Sequence, residues 1–385
     1  MAGNDVYNAM GIYVHVPFCI KKCYYCDFVS YVYDREKVQR YLSALAREAR
    51  FYAGMLTREE KRAATLYIGG GTPTCLATED LVEIINFIIK HFDLSAVREI
   101  TVEANPGTVD REKLTALRRA GVNRISIGVQ SCSGKHLCNL GRIHTFSQAV
   151  EAVETAAEAG FDNIGADLIF GLPGQSTGEW KSCLNAVAGL GLQHISAYGL
   201  QIEEGTPLAG KIAAGELSPC DEDDEAEMFT DTMQILRKKG YRHYEISNYA
   251  LPGRECQHNL GYWRNGHYLG LGPAAHSYLW GARFANESSL GLYEESVNSG
   301  SFPILSARSN NQETAMAETV FLGLRLIEGL NLEDFRLRFG KDVESIYGEQ
   351  VNKLVGDGLL IRRQGRLRLT ERGIALGNRV FSEFV

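Results

Sequence analysis

From residue 12 to residue 200 the chain repeats one pattern, a short apolar run followed by a longer amphipathic one, at intervals of roughly 30 residues. The runs at 12–16 (IYVHV), 64–68 (ATLYI), 99–102, 124–129, 163–169 and 194–200 read as strands. Between them, residues 33–52, 78–90, 110–120, 145–159 and 179–190 read as helices. In the first, Val38, Tyr41, Leu42, Leu45 and Ala49 share one face. Thr78 is placed to cap the second helix, and Gly121 and Gly160 to close the third and fourth. Strands that alternate with helices pair in parallel, because the helix supplies the crossover. Six units instead of eight predict an α/β fold, a partial (β/α)6 barrel that resembles an incomplete TIM barrel. Chemistry in such folds collects at the C-terminal ends of the strands. The polar and glycine-rich departures fall there: cysteines after the first strand, GGGTP at 69–73, Glu103, Gln130 and Asp167.

The first strand stops at Pro17, which lacks the N–H for a ladder bond. Cys19, Cys23 and Cys26 follow as C-x3-C-x2-C. Three thiolates on one short loop can hold three corners of a cubic iron–sulfur cluster, leaving one iron open to a ligand. Zinc held by the same cysteines with His15 is an alternative, although zinc sites usually carry C-x2-C pairs. Inert thiols are another. A disulfide needs an oxidising compartment, and residues 1–10 are polar with no apolar signal core.

Composition narrows the partners. A net charge of −7 and a pI near 5.8 argue against a general nucleic-acid or anionic-membrane binder. No apolar run approaches the roughly 18 residues of a membrane span, leaving at most peripheral association. The other six cysteines (Cys75, Cys132, Cys138, Cys183, Cys220 and Cys256) form no C-x2-C pair and read as free thiols of a cytoplasmic protein.

Beyond residue 200 the rhythm breaks. Residues 221–239 read as a helix whose acidic start, 221–227, is a solvated dipole cap. Residues 244–250 read as one strand added to the barrel edge. Cys256, His258, Asn259, Tyr262 and Trp263 form a dense polar–aromatic patch. The glycines of 268–275 resemble a dinucleotide motif only superficially, since Pro273 interrupts it and no helix follows. From about 310 the chain is helical and ends in a hairpin, the outline of a winged helix; its arginines are too few to imply nucleic-acid binding. The expected organisation is a tail at 1–10, the barrel at 11–200, an extension at 201–305 and a C-terminal, mainly helical domain at 306–385.

An open-cornered [4Fe–4S] cluster can bind S-adenosylmethionine and donate an electron that cleaves its C–S bond. Glycines 69–71 would let backbone approach the methionine end, Glu103 and Asp167 can accept from ribose hydroxyls, and Arg142 can pair a carboxylate. Each also has a plain reading, a tight turn or a rim ion pair. The loop C-x3-C-x2-C followed by GGGTP resembles the radical S-adenosylmethionine superfamily. YVHVPFC, GGGTPT, VEANP, SIGVQS and GLPGQ resemble its coproporphyrinogen III dehydrogenase-like group, along nearly the whole chain. The resemblance implies a cluster on Cys19, Cys23 and Cys26. It implies one or two S-adenosylmethionine sites lined by Tyr13, Tyr25, Gly70, Gly71, Thr72, Glu103, Gln130, Arg142, Asp167 and Gly199.

The group has two branches. Its oxygen-independent dehydrogenases decarboxylate coproporphyrinogen III, carry a fourth cysteine two residues after the third, and have a longer N-terminal segment. This chain has Phe28 at that position and ten residues before Gly11. Its haem chaperones carry phenylalanine there and an H-N-x-x-Y-W motif, matched by His258, Asn259, Tyr262 and Trp263. The resemblance to this branch implies that haem is bound and passed to an acceptor protein. His258 is the candidate iron ligand, with Cys256 a nearby thiolate and His243, His267 and His276 as rival ligands. The resemblance also implies an electron donor for the cluster and no dehydrogenase activity.

Overall fold

Six parallel strands form the frame: β1 (Met10–Val16), β2 (Ala63–Gly70), β3 (Glu99–Ala104), β4 (Arg124–Gln130), β5 (Ile164–Phe170) and β6 (His194–Gly199). The structure, a computed structural model, describes residues 9–385. Most of the expected 1–10 tail therefore lies outside the described residues, and Met10 already belongs to β1. The crossover helices are α1 (Arg35–Met55), α2 (Thr78–His91), α3 (Arg111–Arg119), α4 (Phe146–Glu158) and α5 (Thr177–Ala188). Asp110, Thr145 and Ser176 cap α3, α4 and α5 through their side chains. Thr78 does not cap α2: it is the first helical residue, and the cap position holds Ala77.

The chain after residue 200 widens this sheet at both edges. On one side β7 (Arg242–Glu245) and β8 (Asn248–Ala250) make a hairpin, with β8 antiparallel to β6. The single strand expected over 244–250 is thus two. On the other side β9 (Tyr268–Leu271) runs parallel to β1 and leads into the antiparallel β10 (His276–Leu279), β11 (Ala282–Asn286) and β12 (Ile304–Ser309). The 12-stranded order is β12-β11-β10-β9-β1-β2-β3-β4-β5-β6-β8-β7, with the two ends unpaired, so the barrel is partial. The glycines that resemble a nucleotide motif serve this edge. Gly272 has φ +97°, and a Cβ there would lie 2.6 Å from the His15 carbonyl oxygen.

Strand alternation sorts the two faces. Ile12, Val14, Leu66, Ile68, Ile100, Val102, Ile125, Ile127 and Leu168 are buried in the main apolar core with Leu45, Leu81, Ile85 and Leu117 of the helices. The intervening residues are polar or small: Gly11, Tyr13, His15; Thr65, Tyr67, Gly69; Glu99, Thr101, Glu103; Arg124, Ser126, Gly128; Gly165, Asp167; His194, Ser196. The inner face is therefore a polar lining and not a second apolar core.

A second apolar cluster, beginning at Met316, joins α8 (Gln312–Arg325), α9 (Leu332–Phe339), α10 (Val343–Gly356) and a three-stranded sheet. That sheet orders Leu330–Asn331, Arg366–Leu369 and Leu360–Arg363, the helix-and-hairpin outline read from sequence. The expected boundary at 305/306 cuts through β12, which belongs to the large sheet. Arg362 of the hairpin pairs with Glu344 at 2.7 Å. No helix among the described residues is long and apolar enough to cross a membrane. The scattered cysteines are not all free: Cys132, just after β4, is bonded to Cys183 on α5, with Cα atoms 5.3 Å apart.

Candidate functional site

The cysteine loop is clamped at its base by the end of β2. Gly71 N–H donates to the Val16 carbonyl (2.8 Å) and Thr72 N–H to the Phe18 carbonyl (2.7 Å). Phe18–Cys19 also pairs with Tyr31–Val32, closing the loop on itself. A Cβ on Gly71 would lie 2.6 Å from the Phe18 carbonyl oxygen, and one on Gly70 (φ +110°) 2.6 Å from the His15 ring. Gly71 is thus demanded by the close approach of the cysteine loop, and Gly70 by its left-handed φ and the His15 ring of β1, reasons that sequence reading alone did not supply.

A continuous polar chain then links two of the cysteines. Thr72 Oγ1 donates to Cys19 Sγ (3.6 Å), Asn105 Nδ2 to Thr72 Oγ1 (2.8 Å), Arg142 Nη2 to Asn105 Oδ1 (2.6 Å), and Arg142 Nη1 to Cys23 Sγ (3.5 Å). Arg142 also donates to the Gly128 carbonyl at 2.7 Å. Asn105 and Gly128 were missed in the sequence. Asn105 stands in plain view before Pro106, at the end of β3, whereas Gly128 is a glycine because a Cβ would lie 2.8 Å from Asn105 Oδ1. His15 holds the far side of the loop, its Nε2 2.9 Å from the Val29 carbonyl and its Nδ1 3.1 Å from the Tyr13 hydroxyl. With both ring nitrogens engaged, His15 is not a fourth ligand, which removes the zinc alternative in the form that used it.

The donor set fits an iron–sulfur cluster. Of three half-exposed thiols on one loop, Cys19 receives a hydrogen bond from a hydroxyl and Cys23 one from a guanidinium, the outer contacts that tune cluster sulfur. Burial raises the Cys19 thiol and pushes Cys26 up to about 11, so a cationic metal centre is what would hold them as thiolates. A [4Fe–4S] cluster held by Cys19, Cys23 and Cys26 would supply an open iron and a single electron to a bound sulfonium cofactor.

Of the remaining expected cofactor residues, Glu103, Gln130 and Gly199 lie at the ends of neighbouring strands, Tyr25 lies in the cysteine loop, and Asp167 stands in the middle of β5, deeper than the strand end expected for it. Glu103 accepts from Tyr67 Oη (2.7 Å) and Gly70 N–H (3.1 Å), and burial pushes its carboxyl up to about 7. Asp167 accepts from Ser126 Oγ, and burial raises it as well. Fully buried Arg124 lies close enough to draw both acids back down. Gln130 sits at a β-bulge with φ +63°, a left-handed conformation that costs a non-glycine residue about 1 kcal/mol or more. Tyr25 packs with Leu140, Ile169 and Leu172, and burial raises its phenol. Gly199 faces Glu225: a Cβ there would lie 2.6 Å from Glu225 Oε1. The acidic run 221–227 does cap its helix, α6 (Glu222–Lys238), through Asp221, but Glu225 lies against Gly199 of β6.

Beside the loop opens a cavity of about 630 Å³, large enough for a sizeable organic ligand. Tyr13, Gly70 and Glu103 line it on the cluster side, and Phe28, Tyr262, Trp263, Phe321 and Leu322 supply apolar wall. Tyr262 and Trp263 come from α7 (Gln257–Trp263), the helix of the polar–aromatic patch. His258, expected to ligate haem, is not free to do so. It is 3% exposed, with Nδ1 2.8 Å from Thr65 Oγ1 and Nε2 2.8 Å from the Tyr262 hydroxyl. Burial pushes its imidazole down to about 3, so it is a neutral hydrogen-bonding bridge. Cys256 is fully buried against Glu99, whose carboxylate also accepts from the N–H groups of Gln257 (2.9 Å) and His258 (3.2 Å).

Known proteins resemble this arrangement closely. Residues 13–187 match the Radical SAM superfamily and residues 310–376 the HemN C-terminal domain. A protein of Lactococcus lactis named heme chaperone HemW is 38% identical, covering 97% of this chain and 96% of its own. The Escherichia coli protein of that name is 41% identical over 69% of each chain. A zebrafish protein named radical S-adenosyl methionine domain-containing protein 1, mitochondrial, is 30% identical over 95% of this chain and 84% of its own. Among solved structures, coproporphyrinogen III oxidase (HemN) from Escherichia coli superposes with a TM-score of 0.86 at 23% identity, over 99% of this chain and 91% of that one, which establishes a common fold. By its motifs, its clamped cysteine loop and its full-length identity to these relatives, this chain belongs to the radical SAM superfamily and, within it, to the HemW family.

Proposed function

We propose that this protein is a haem chaperone: it binds haem and delivers it to an acceptor protein. In this reading it carries a [4Fe–4S] cluster on Cys19, Cys23 and Cys26, reduced by an external electron donor, with S-adenosylmethionine at the open iron. Gly70, Gly71, Thr72, Glu103 and Asp167 hold the sulfonium cofactor, with Tyr13, Tyr25, Gln130 and Arg142 around them. Gly199 contributes at the edge of the same rim. The observation that carries the proposal is the aromatic-walled cavity adjoining the cluster loop and walled in part by Tyr262 and Trp263. A porphyrin is flat and apolar, and such walls suit it. Relatives named heme chaperone HemW favour the same cargo.

The competing reading, oxidative decarboxylation of coproporphyrinogen III, has the HemN fold behind it. Phe28 speaks against it. This residue stands where the dehydrogenases carry a cysteine, is 61% exposed, and forms part of the cavity wall. The test is anaerobic reconstitution followed by parallel haem titration and coproporphyrinogen III consumption. Stoichiometric haem binding without turnover is expected. Catalytic conversion to protoporphyrinogen IX would replace the chaperone reading with the enzyme one.

A further inference from the structure

The haem reading requires a group for the iron, and the geometry removes the residue that the motif suggests. An axial ligand needs a nitrogen, sulfur or oxygen donor with a free lone pair facing the cargo. His258 has both ring nitrogens occupied and does not line the large cavity. His15 lines it but is likewise engaged at both nitrogens. Tyr262 is bonded to His258 and Tyr268 receives the Arg283 guanidinium at 3.4 Å, and burial raises both phenols, so neither is the phenolate in which tyrosine holds haem iron. No cysteine is among the lining residues.

One imidazole is left. His276 opens β10, is exposed, lines the same cavity, and its ring takes part in none of the side-chain hydrogen bonds of the described residues. Its backbone is fixed by pairing with Ala285 of β11, and the next residue, Ser277, is buried with its hydroxyl 2.9 Å from Gly270 N. The ring therefore projects from a rigid strand into space bounded by aromatic side chains.

We propose that His276 is the axial ligand of haem iron in this cavity, with Phe28, Tyr262, Trp263 and Phe321 as its walls. The assignment rests on the haem-chaperone reading and deepens it. The conspicuous motif then supplies walls and the inconspicuous strand residue supplies the metal bond. A single exposed imidazole also suits a carrier, because an acceptor's ligand can reach and displace it without opening the core.

Haemin and metal-free protoporphyrin IX are titrated into full-length, reconstituted wild type, His276→Ala and His258→Ala, with circular dichroism checking that each variant is folded. The proposal expects His276→Ala to bind haemin about tenfold or more weakly, since even outer partners of metal ligands carry about that much. Its Soret band should shift, added imidazole should restore the wild-type band, and protoporphyrin IX affinity should be unchanged. Folded His258→Ala should keep the wild-type Soret position. Identical haemin affinity and Soret band in wild type and His276→Ala would overturn the ligand assignment alone. A wild type that binds no haemin at all would overturn the chaperone reading beneath it.

Discussion

The cysteine loop and the H-N-x-x-Y-W helix are the two densest motifs in this chain, and the fold uses them in opposite ways. The loop is held by its backbone, through Val16, Phe18, Gly71 and Thr72, which leaves its sulfurs half exposed and two of them turned to donors on the rim. The helix is held by its side chains. Glu99 gathers the Gln257 and His258 amides and the Cys256 thiol, and Thr65 and Tyr262 take the two nitrogens of His258. His258, fixed in this way, has no ring nitrogen to spare. A cluster of metal-type residues in sequence therefore becomes a site only where main chain, and not those same side chains, carries the structural role.

Replacing Cys19, Cys23 and Cys26 together by alanine sharpens the contrast most. Bound iron and sulfide should vanish, while Cys256→Ala retains both, as read by metal and sulfide analysis after anaerobic reconstitution. Retention of iron in the triple variant would break the comparison outright. Next in size is Glu99→Ala, which orphans two amides and the Cys256 thiol and removes a carboxylate that faces buried Arg124. Loss of about 3 kcal/mol in denaturant unfolding is expected, because each buried donor left unpaired costs about 1–3 kcal/mol. A third measurement separates structure from ligation: His258→Ala should lower stability by about 2 kcal/mol, leaving two hydroxyls unpaired, without lowering iron or sulfide content.

The smallest effect is a pH dependence. Burial raises the Glu103 carboxyl to about 7, so the free protein holds it neutral in mildly acidic solution and as a stronger acceptor above that. Binding of S-adenosylmethionine should tighten several-fold from about pH 6 to pH 8, and calorimetry on Glu103→Gln should show a flat profile. The stability linkage has the opposite sense. A raised acid contributes fully below its ordinary value, and that contribution is lost as pH rises through about 7, so wild type should lose more stability than Glu103→Gln from about pH 5 to pH 8.

Much of this architecture was readable in advance. The alternation of β-branched runs with amphipathic helices fell within two or three residues of β1 to β6 and α1 to α5, because period-2 and period-3.6 burial against one core leaves a strong local signal. The placement of the cysteines, Glu103 and Gln130 at strand ends followed from the same rhythm, whereas Asp167 proved to be mid-strand. What failed had no local signature. Residues 244–250 turned out to be a hairpin, since a two-residue reversal between short buried strands lacks the Asn-Gly signal. Residues 268–271 became a strand through pairing with β1, a partner more than 250 positions away. Cys132 and Cys183 met because a β4 loop and α5 happen to pack.

By itself, then, the sequence determined a partial (β/α) barrel, a cysteine loop at its C-terminal rim and a helical end capped by a hairpin. These depend on spacing and on the covalent order of neighbours, which the chain carries in one dimension. Only the tertiary structure decided which chemistry-bearing residues keep a free lone pair. Hydrogen bonding is a competition among groups brought together from Tyr13, Thr65, Glu99, His258 and His276, and its outcome depends on distances that no residue order records. That competition closed His258 and His15 and left His276 open.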